Sequence, residues 1–322
     1  MSRIFLAASF PEPAKTELEA GLAHHTVLRA AHPIASNLAV GEVDPAMLEA
    51  EVIFGQPPVA GLLQAHALRW VHLNSAGYTR YGAPAVARAL AERGVRLTTS
   101  SQVYAEPCAN HAVALLLALS RELPGAAAEQ HGAHGWPAGP LRARARVVRG
   151  LRIVVLGYGA IGRRIVALLA PFQAQVSVVR ATPRGDEPVP TFAANDAARA
   201  LAGADAVVSA LPESDTTGRF LDAERLAVLA PGAVVINVGR GTTLDQNALL
   251  ERLRSGALGG AALDVTDPEP LPPEHPLWRE PNCLITPHVA GGRKEEMVEL
   301  VRHFLENLRR FETGEPLSDR VI

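Results

Sequence analysis

The chain has 322 residues, 48% of them hydrophobic, and a formal net charge of −2; that is enough chain for about two domains with real cores. The charge balance gives no reason to expect nucleic acid or an anionic membrane as a partner. The longest helix-like apolar run, Ala112–Leu119, falls far short of the ~20 residues needed to cross a bilayer. Two cysteines, Cys108 and Cys283, are too few and too separated for a disulfide framework or a zinc site, so a reducing compartment, the cytoplasm, is expected. Lysine occurs only at Lys15 and Lys294, which leaves 29 arginines among 31 basic residues, so no single arginine carries much weight by its presence alone.

In chain order, Ile4–Ala7 is strand-like and better suited to a first β-strand than to a secretory segment. Ala14–Gly21 follows as a helix, and Val52–Phe54, Arg69–Leu73 and Val95–Thr98 as strands, with a helix over Pro84–Arg93. Strands alternating with helices predict a parallel sheet. Glu106-Pro107 marks a helix start with proline in the first turn, and that helix is expected to run to Leu123; the Pro/Gly-rich stretch Pro124–Pro140 is expected to be a loop.

The segment from Leu151 to Gly162 is the most informative in the chain. An apolar strand, Arg152–Leu156, runs into glycines at 157, 159 and 162 and then into the helical pattern Ile161–Ala170. Gly157 allows a tight turn, Gly159 lets the backbone approach a pyrophosphate, and Gly162 lets the helix pack close to the strand. The free N–H groups at the helix start then face the diphosphate.

Five further strands are expected at Gln175–Val179, Ala206–Ser209, Val234–Asn237, Gly260–Asp264 and Leu284–Thr286, which with Arg152–Leu156 make the six of a complete dinucleotide-binding sheet. The final stretch, Arg293–Phe311, spaces Met297, Leu300, Val301, Phe304, Leu305, Leu308 and Phe311 along one helical face. These patterns predict an α/β protein of two Rossmann-like parallel-sheet domains. Residues 101–287 form the dinucleotide-binding domain, inserted into a discontinuous substrate domain made of residues 1–100 and 288–322. An active site is expected in the cleft between the domains, outside the carboxyl ends of the strands.

Arg240 lies in Asn237-Val-Gly-Arg-Gly241, Glu269 in Asp267-Pro-Glu-Pro-Leu271, and His288 in Thr286-Pro-His-Val-Ala-Gly-Gly292, each just past a predicted strand. Singly, these are as readily a turn charge, a solvated loop carboxylate and a helix-cap histidine. Together, an arginine, a carboxylate and a histidine beside a dinucleotide are what hydride transfer to the carbonyl of a carboxylate substrate requires. Histidine is the best proton donor near neutral pH, a neighbouring carboxylate favours its protonated ring, and an arginine fork can hold a carboxylate or carbonyl oxygen.

With these motifs in place, the chain resembles the D-isomer-specific 2-hydroxyacid dehydrogenase family, and within it the glyoxylate/hydroxypyruvate reductase branch. The resemblance rests on Asn74-Ser-Ala-Gly77, Tyr104-Ala-Glu-Pro107, Gly157–Gly162, Asn237–Gly241, Leu263-Asp-Val265, Glu269-Pro-Leu-Pro272, His275-Pro-Leu-Trp278 and Thr286–Gly292. It implies Arg240, Glu269 and His288 as the catalytic set, with Arg240 and His288 also meeting the substrate. It implies Asp264 at the nicotinamide carboxamide, and Tyr158, Ala160, Ile161, Leu211, Pro212, Val238 and Gly291 around the cofactor with the three glycines. Backbone amides around Ser75, Ala76 and Gly77 would receive the substrate carboxylate. The implied activity is reduction of a small 2-oxo acid to the D-2-hydroxy acid, with no metal. The implied assembly is a homodimer, here using the helix after Glu106 and the Pro124–Pro140 excursion with Trp136. A second reading stays open: a non-catalytic NAD(P)H-sensing corepressor or scaffold on the same fold, since such relatives can keep the same three residues.

The cofactor expected is NADPH, with NAD also possible. After strand Gln175–Val179, an NAD-preferring enzyme carries an acidic residue that bonds the ribose 2′-hydroxyl; here the position holds Arg180. A guanidinium can pair with a 2′-phosphate, and Thr182 and Arg184 are close enough in sequence to complete the anion pocket. Asp186 and Glu187 are placed too far along the loop to substitute for the missing carboxylate.

Overall fold

A computed structural model describes residues 1–32 and 41–322. The chain divides into two compact units, one made of Met1–Tyr104 with Arg293–Ile322 and the other of Ala105–Gly292. Each is built around one parallel sheet with helices, as the alternating pattern predicts.

In the first unit, β1 (Arg3–Leu6), β2 (Thr26–Arg29), β3 (Val52–Phe54), β4 (Trp70–His72) and β5 (Arg96–Thr98) lie in the order β2-β1-β3-β4-β5. The central strands are fully buried, which is why they are apolar from end to end. Strand β2 escapes the sequence reading because it pairs on one side only and keeps both end residues exposed. The C-terminal helix, Glu296–Thr313, covers this sheet with Leu300, Val301, Phe304, Leu308 and Phe311. Phe304 stacks on Phe54 at 4.1 Å between ring centroids and on Trp70 at 5.4 Å. Met297, expected on the packed face, is 37% exposed instead.

In the second unit, β6 (Arg152–Leu156), β7 (Gln175–Arg180), β8 (Thr191–Ala193), β9 (Ala206–Ser209), β10 (Ala233–Asn237), β11 (Leu258–Leu263) and β12 (Cys283–Ile285) lie in the order β12-β11-β10-β9-β6-β7-β8. The sheet therefore has seven strands where six were expected. The missing one is β8, an edge strand of three half-buried residues with too short an apolar run to register in sequence. The strand order reverses between β6 and β9, which places the topological switch point at the glycine turn.

Two helical expectations need correction. The helix expected to start at Glu106 begins at Ser101 and ends at Ser120, with Pro107 inside it. Burial of Cys108, Ala109, Ala112, Leu115, Leu116 and Leu119 outweighs the single backbone hydrogen bond that proline removes. The stretch Pro124–Pro140 is not a plain loop but carries two short helices, Leu123–His131 and Ala138–Arg144. Pro124 sits in the first turn, where proline is tolerated, and the alanines after it are strong helix formers. Neither helix buries a residue, and Trp136 between them is 93% exposed.

Candidate active site

Strand β6 ends at Leu156, and Gly157, with a φ of +89°, turns the chain toward the helix Ala160–Leu169. That helix buries Gly162, Ile165, Val166 and Leu169, and a Cβ on Gly162 would lie 1.9 Å from the Gly157 carbonyl oxygen. Only glycine permits this approach of helix to strand. Gly159 is exposed, and a Cβ there would meet no atom within 4 Å. The surface above the first-turn N–H groups is thus open and lined by backbone. A diphosphate fits such a surface, because the amides and the helix dipole both favour an anion. Tyr158 is buried, while Ala160 and Ile161 are half-buried at the helix start. Leu211 and Pro212 follow β9, and Val238 follows β10 and donates its N–H to Ser209 O at 2.9 Å. These residues stand at the carboxyl ends of neighbouring strands; Gly291 is half-buried in the loop after β12.

Arg180 is the last residue of β7. Its Nη1 donates to Glu187 Oε1 at 2.6 Å, and the same carboxylate accepts the N–H groups of Arg184 and Gly185, each at 2.9 Å. Glu187 is therefore not out of reach along the loop. Residues 181–186 are exposed and curl so that Glu187 returns to the strand end, where only 3% of its side chain is accessible. The Arg184 amide first, with Arg180 and the Gly185 amide, holds the Glu187 carboxyl down to about 2, against the burial that pushes the other way. Thr182 and Arg184 both have exposed positions on this loop.

Arg240, Glu269 and His288 follow the adjacent strands β10, β11 and β12. Asn237 fixes the first turn from both sides, donating from Nδ2 to Arg240 O at 3.0 Å and accepting the Gly239 N–H at 3.0 Å. Thr243 Oγ1 donates to the same Arg240 carbonyl at 2.7 Å. The guanidinium, half-buried, donates from Nη1 to Gly239 O at 2.7 Å. Glu269 Oε1 and His288 Nδ1 are joined by a hydrogen bond, with 30% and 39% of the two side chains exposed. The ring is thereby oriented through Nδ1, and Nε2 is left for other chemistry.

The loop that presents His288 hangs on Asp264, which is 2% exposed. Its carboxylate accepts Thr286 Oγ1 at 2.7 Å, Val289 N–H at 2.9 Å and Ala290 N–H at 3.0 Å. The His288 N–H donates to the Asp264 carbonyl at 2.9 Å while His288 itself has φ +52°. His111 Nε2 lies 3.0 Å from Thr286 Oγ1 and 3.6 Å from Asp264 Oδ1. The fold thus joins Glu269, His288 and Asp264 directly, and brings Arg240 to the end of the neighbouring strand. Sequence reasoning missed Asn237 and Thr286 as supports, His111, and the return of Glu187. The first two stand inside motifs already singled out, whereas His111 has no local pattern to mark it.

Ser75, Ala76 and Gly77 belong to the first unit, half-buried between β4 and the next helix. Ser75 Oγ donates to Gly77 O at 2.7 Å and accepts from Gln56 Nε2 at 2.8 Å. Tyr104 Oη donates to the Asn74 carbonyl at 3.0 Å, so the segment is braced on both flanks. Among the described residues no group of three or more His, Cys, Asp or Glu side chains is placed to hold a metal, and no helix is long and apolar enough to cross a membrane.

The family description "D-isomer specific 2-hydroxyacid dehydrogenase, NAD binding domain" matches residues 113–290. A glyoxylate/hydroxypyruvate reductase B of Pectobacterium carotovorum is 33% identical over 278 residues, which covers 84% of this chain and 85% of that one. The human glyoxylate reductase/hydroxypyruvate reductase is 32% identical over 237 residues, 71% of each chain. Among solved structures, a D-isomer specific 2-hydroxyacid dehydrogenase from Xanthobacter autotrophicus, in complex with NADPH and MES, superposes with a TM-score of 0.79 at 29% identity, covering 100% of this chain and 98% of that one. Against other curated relatives the chain spans about half of their length, 56%, 45% and 53% in three cases. The chain belongs to the D-isomer-specific 2-hydroxyacid dehydrogenase family.

Proposed function

We propose that this protein reduces a small 2-oxo acid of the glyoxylate or hydroxypyruvate type to the D-2-hydroxy acid, using NADPH in preference to NADH. The observation that carries this reading is the Glu269–His288 pair at the strand ends, held by a buried aspartate next to a strand-end arginine, on the sheet that bears the glycine turn. When bound, the nicotinamide supplies hydride to the carbonyl carbon. Glycines 157, 159 and 162 and the first-turn amides of Ala160–Leu169 hold the diphosphate. Tyr158, Leu211, Pro212, Val238 and Gly291 border the cofactor, with Asp264 at the carboxamide end.

His288 gives its Nε2 proton to the oxygen that becomes the hydroxyl, so the alkoxide never accumulates. Glu269 fixes the ring through Nδ1 and faces the imidazolium that donates. Arg240 turns its fork from Gly239 O to the substrate carboxylate or carbonyl oxygen, anchoring and polarising it. Ser75, Ala76 and Gly77, in the first unit, are the backbone donors that the family resemblance implies for a carboxylate. Arg180, with Thr182 and Arg184, receives the 2′-phosphate of NADPH.

The solved relatives support the cofactor reading, since one is in complex with NADPH and another, an NADPH-dependent glyoxylate/hydroxypyruvate reductase from Sinorhizobium meliloti at 27% identity, with NADP and malonate. The units Ala105–Gly292 and Met1–Tyr104 with Arg293–Ile322 serve as cofactor and substrate domains respectively. Two free cysteines accord with a cytoplasmic setting, and the solvent-facing helices around Trp136 suit a homodimer contact. Steady-state rates across a panel of 2-oxo acids, each with NADPH and NADH, test the proposal. Activity on small 2-oxo acids with a higher kcat/KM for NADPH supports it, and absence of turnover across the panel refutes it.

A further inference from the structure

The loop after β7 contains a formed anion cradle filled by one of the protein's own side chains. Three donors converge on one carboxylate: Arg180 Nη1 at 2.6 Å, Arg184 N–H at 2.9 Å and Gly185 N–H at 2.9 Å. A cation and two successive backbone amides are the donor set that recognises a phosphate. The occupying side chain is almost wholly withdrawn from solvent, 3% against 17% for the arginine. A surface ion pair formed by chance would keep both partners wet and would not recruit main-chain donors.

We propose that Glu187 is a built-in surrogate for the 2′-phosphate and so is a residue that sets discrimination between NADPH and NADH. This rests on the reading above that Arg180 serves the adenosine 2′ end of the cofactor. A 2′-phosphate, carrying about two negative charges and three acceptor oxygens, competes for the same three donors and must displace the carboxylate. NADH brings no anion to the ribose 2′ position, leaves Glu187 in place, and meets there an arginine whose charge is already compensated. The wild-type preference for NADPH is therefore smaller than the cradle alone would give.

The test is titration calorimetry on the full chain with four probes: NADPH, NADH, adenosine 2′,5′-bisphosphate and ADP. Glu187→Gln keeps the shape and an acceptor oxygen but removes the competing charge, and Glu187→Ala clears the cradle. Both variants are expected to tighten NADPH and adenosine 2′,5′-bisphosphate about tenfold, which corresponds to about 1.4 kcal/mol, with NADH and ADP unchanged. If Glu187 only shapes the loop, both variants bind the 2′-phosphorylated probes no better or worse than the wild type, and the proposal is overturned. Arg180→Gln separates that failure from a wrong cofactor site. Weakened binding of adenosine 2′,5′-bisphosphate by this variant keeps the 2′-phosphate site at Arg180 whatever Glu187 does. Unchanged binding shows that the cradle is not that site and overturns both readings.

Discussion

Replacing Asp264 with asparagine removes the charge on which the His288 loop is hung while changing almost no volume. The carboxylate is 2% exposed and accepts Thr286 Oγ1, Val289 N–H and Ala290 N–H at 2.7–3.0 Å. An amide can offer one oxygen to these donors, and its NH2 group then confronts at least one of them. Hydrogen bonds to a charged partner contribute about 1.5–3 kcal/mol each, and a buried donor left unsatisfied costs about 1–3 kcal/mol. With water able to reach the exposed Val289 side of the loop, the expected loss is about 2–4 kcal/mol. Urea unfolding followed by circular dichroism reads that loss as a lower midpoint at unchanged slope. Turnover should fall more than substrate affinity, because the loop carries the proton donor. A variant as stable as the wild type, with full kcat, would show that Asp264 does not support the loop.

His288→Asn is expected to abolish nearly all turnover while NADPH titration stays close to wild type; activity within about tenfold, worth about 1.4 kcal/mol in the barrier, would remove His288 as the acid. Arg240→Lys is expected to be severe in kcat and KM, since an ammonium cannot reproduce a planar fork, and near-normal constants would dismiss the bidentate role. His72 is wholly buried between Trp70 and Phe304, with Nδ1 2.7 Å from Thr98 Oγ1, and burial first and His303 second hold its pKa well below the ordinary histidine value. A depressed folded-state histidine contributes stability that is present above the unfolded value of about 6.5 and is lost as pH falls below it. The urea midpoint should therefore drop between pH 7 and pH 5, and His72→Asn should flatten that drop; an equally steep drop in the variant would refute the assignment.

What could be read in the chain follows from how far each determinant extends along it. Strands β6, β9 and β10 are buried on both faces, so their apolar runs announce themselves, and the glycine turn is legible because helix–strand contact at Gly162 admits no Cβ. Edge strands β2 and β8 pair on one side and stay partly exposed, so no run of apolar residues marks them. The helix through Pro107 is decided by its buried neighbours rather than by the local proline signal. The Arg240, Glu269 and His288 motifs are local and visible. By contrast, the contact of His111 with Thr286 joins residues 175 positions apart, and the return of Glu187 depends on a loop path that charge spacing does not encode.

Reduction of hydroxypyruvate with NADPH, followed by chiral chromatography of the glycerate formed, reads hydride transfer and its stereochemistry in one measurement. The account predicts stoichiometric oxidation of NADPH and D-glycerate as the product. L-glycerate, or no oxidation of NADPH with this or any other small 2-oxo acid, would contradict it.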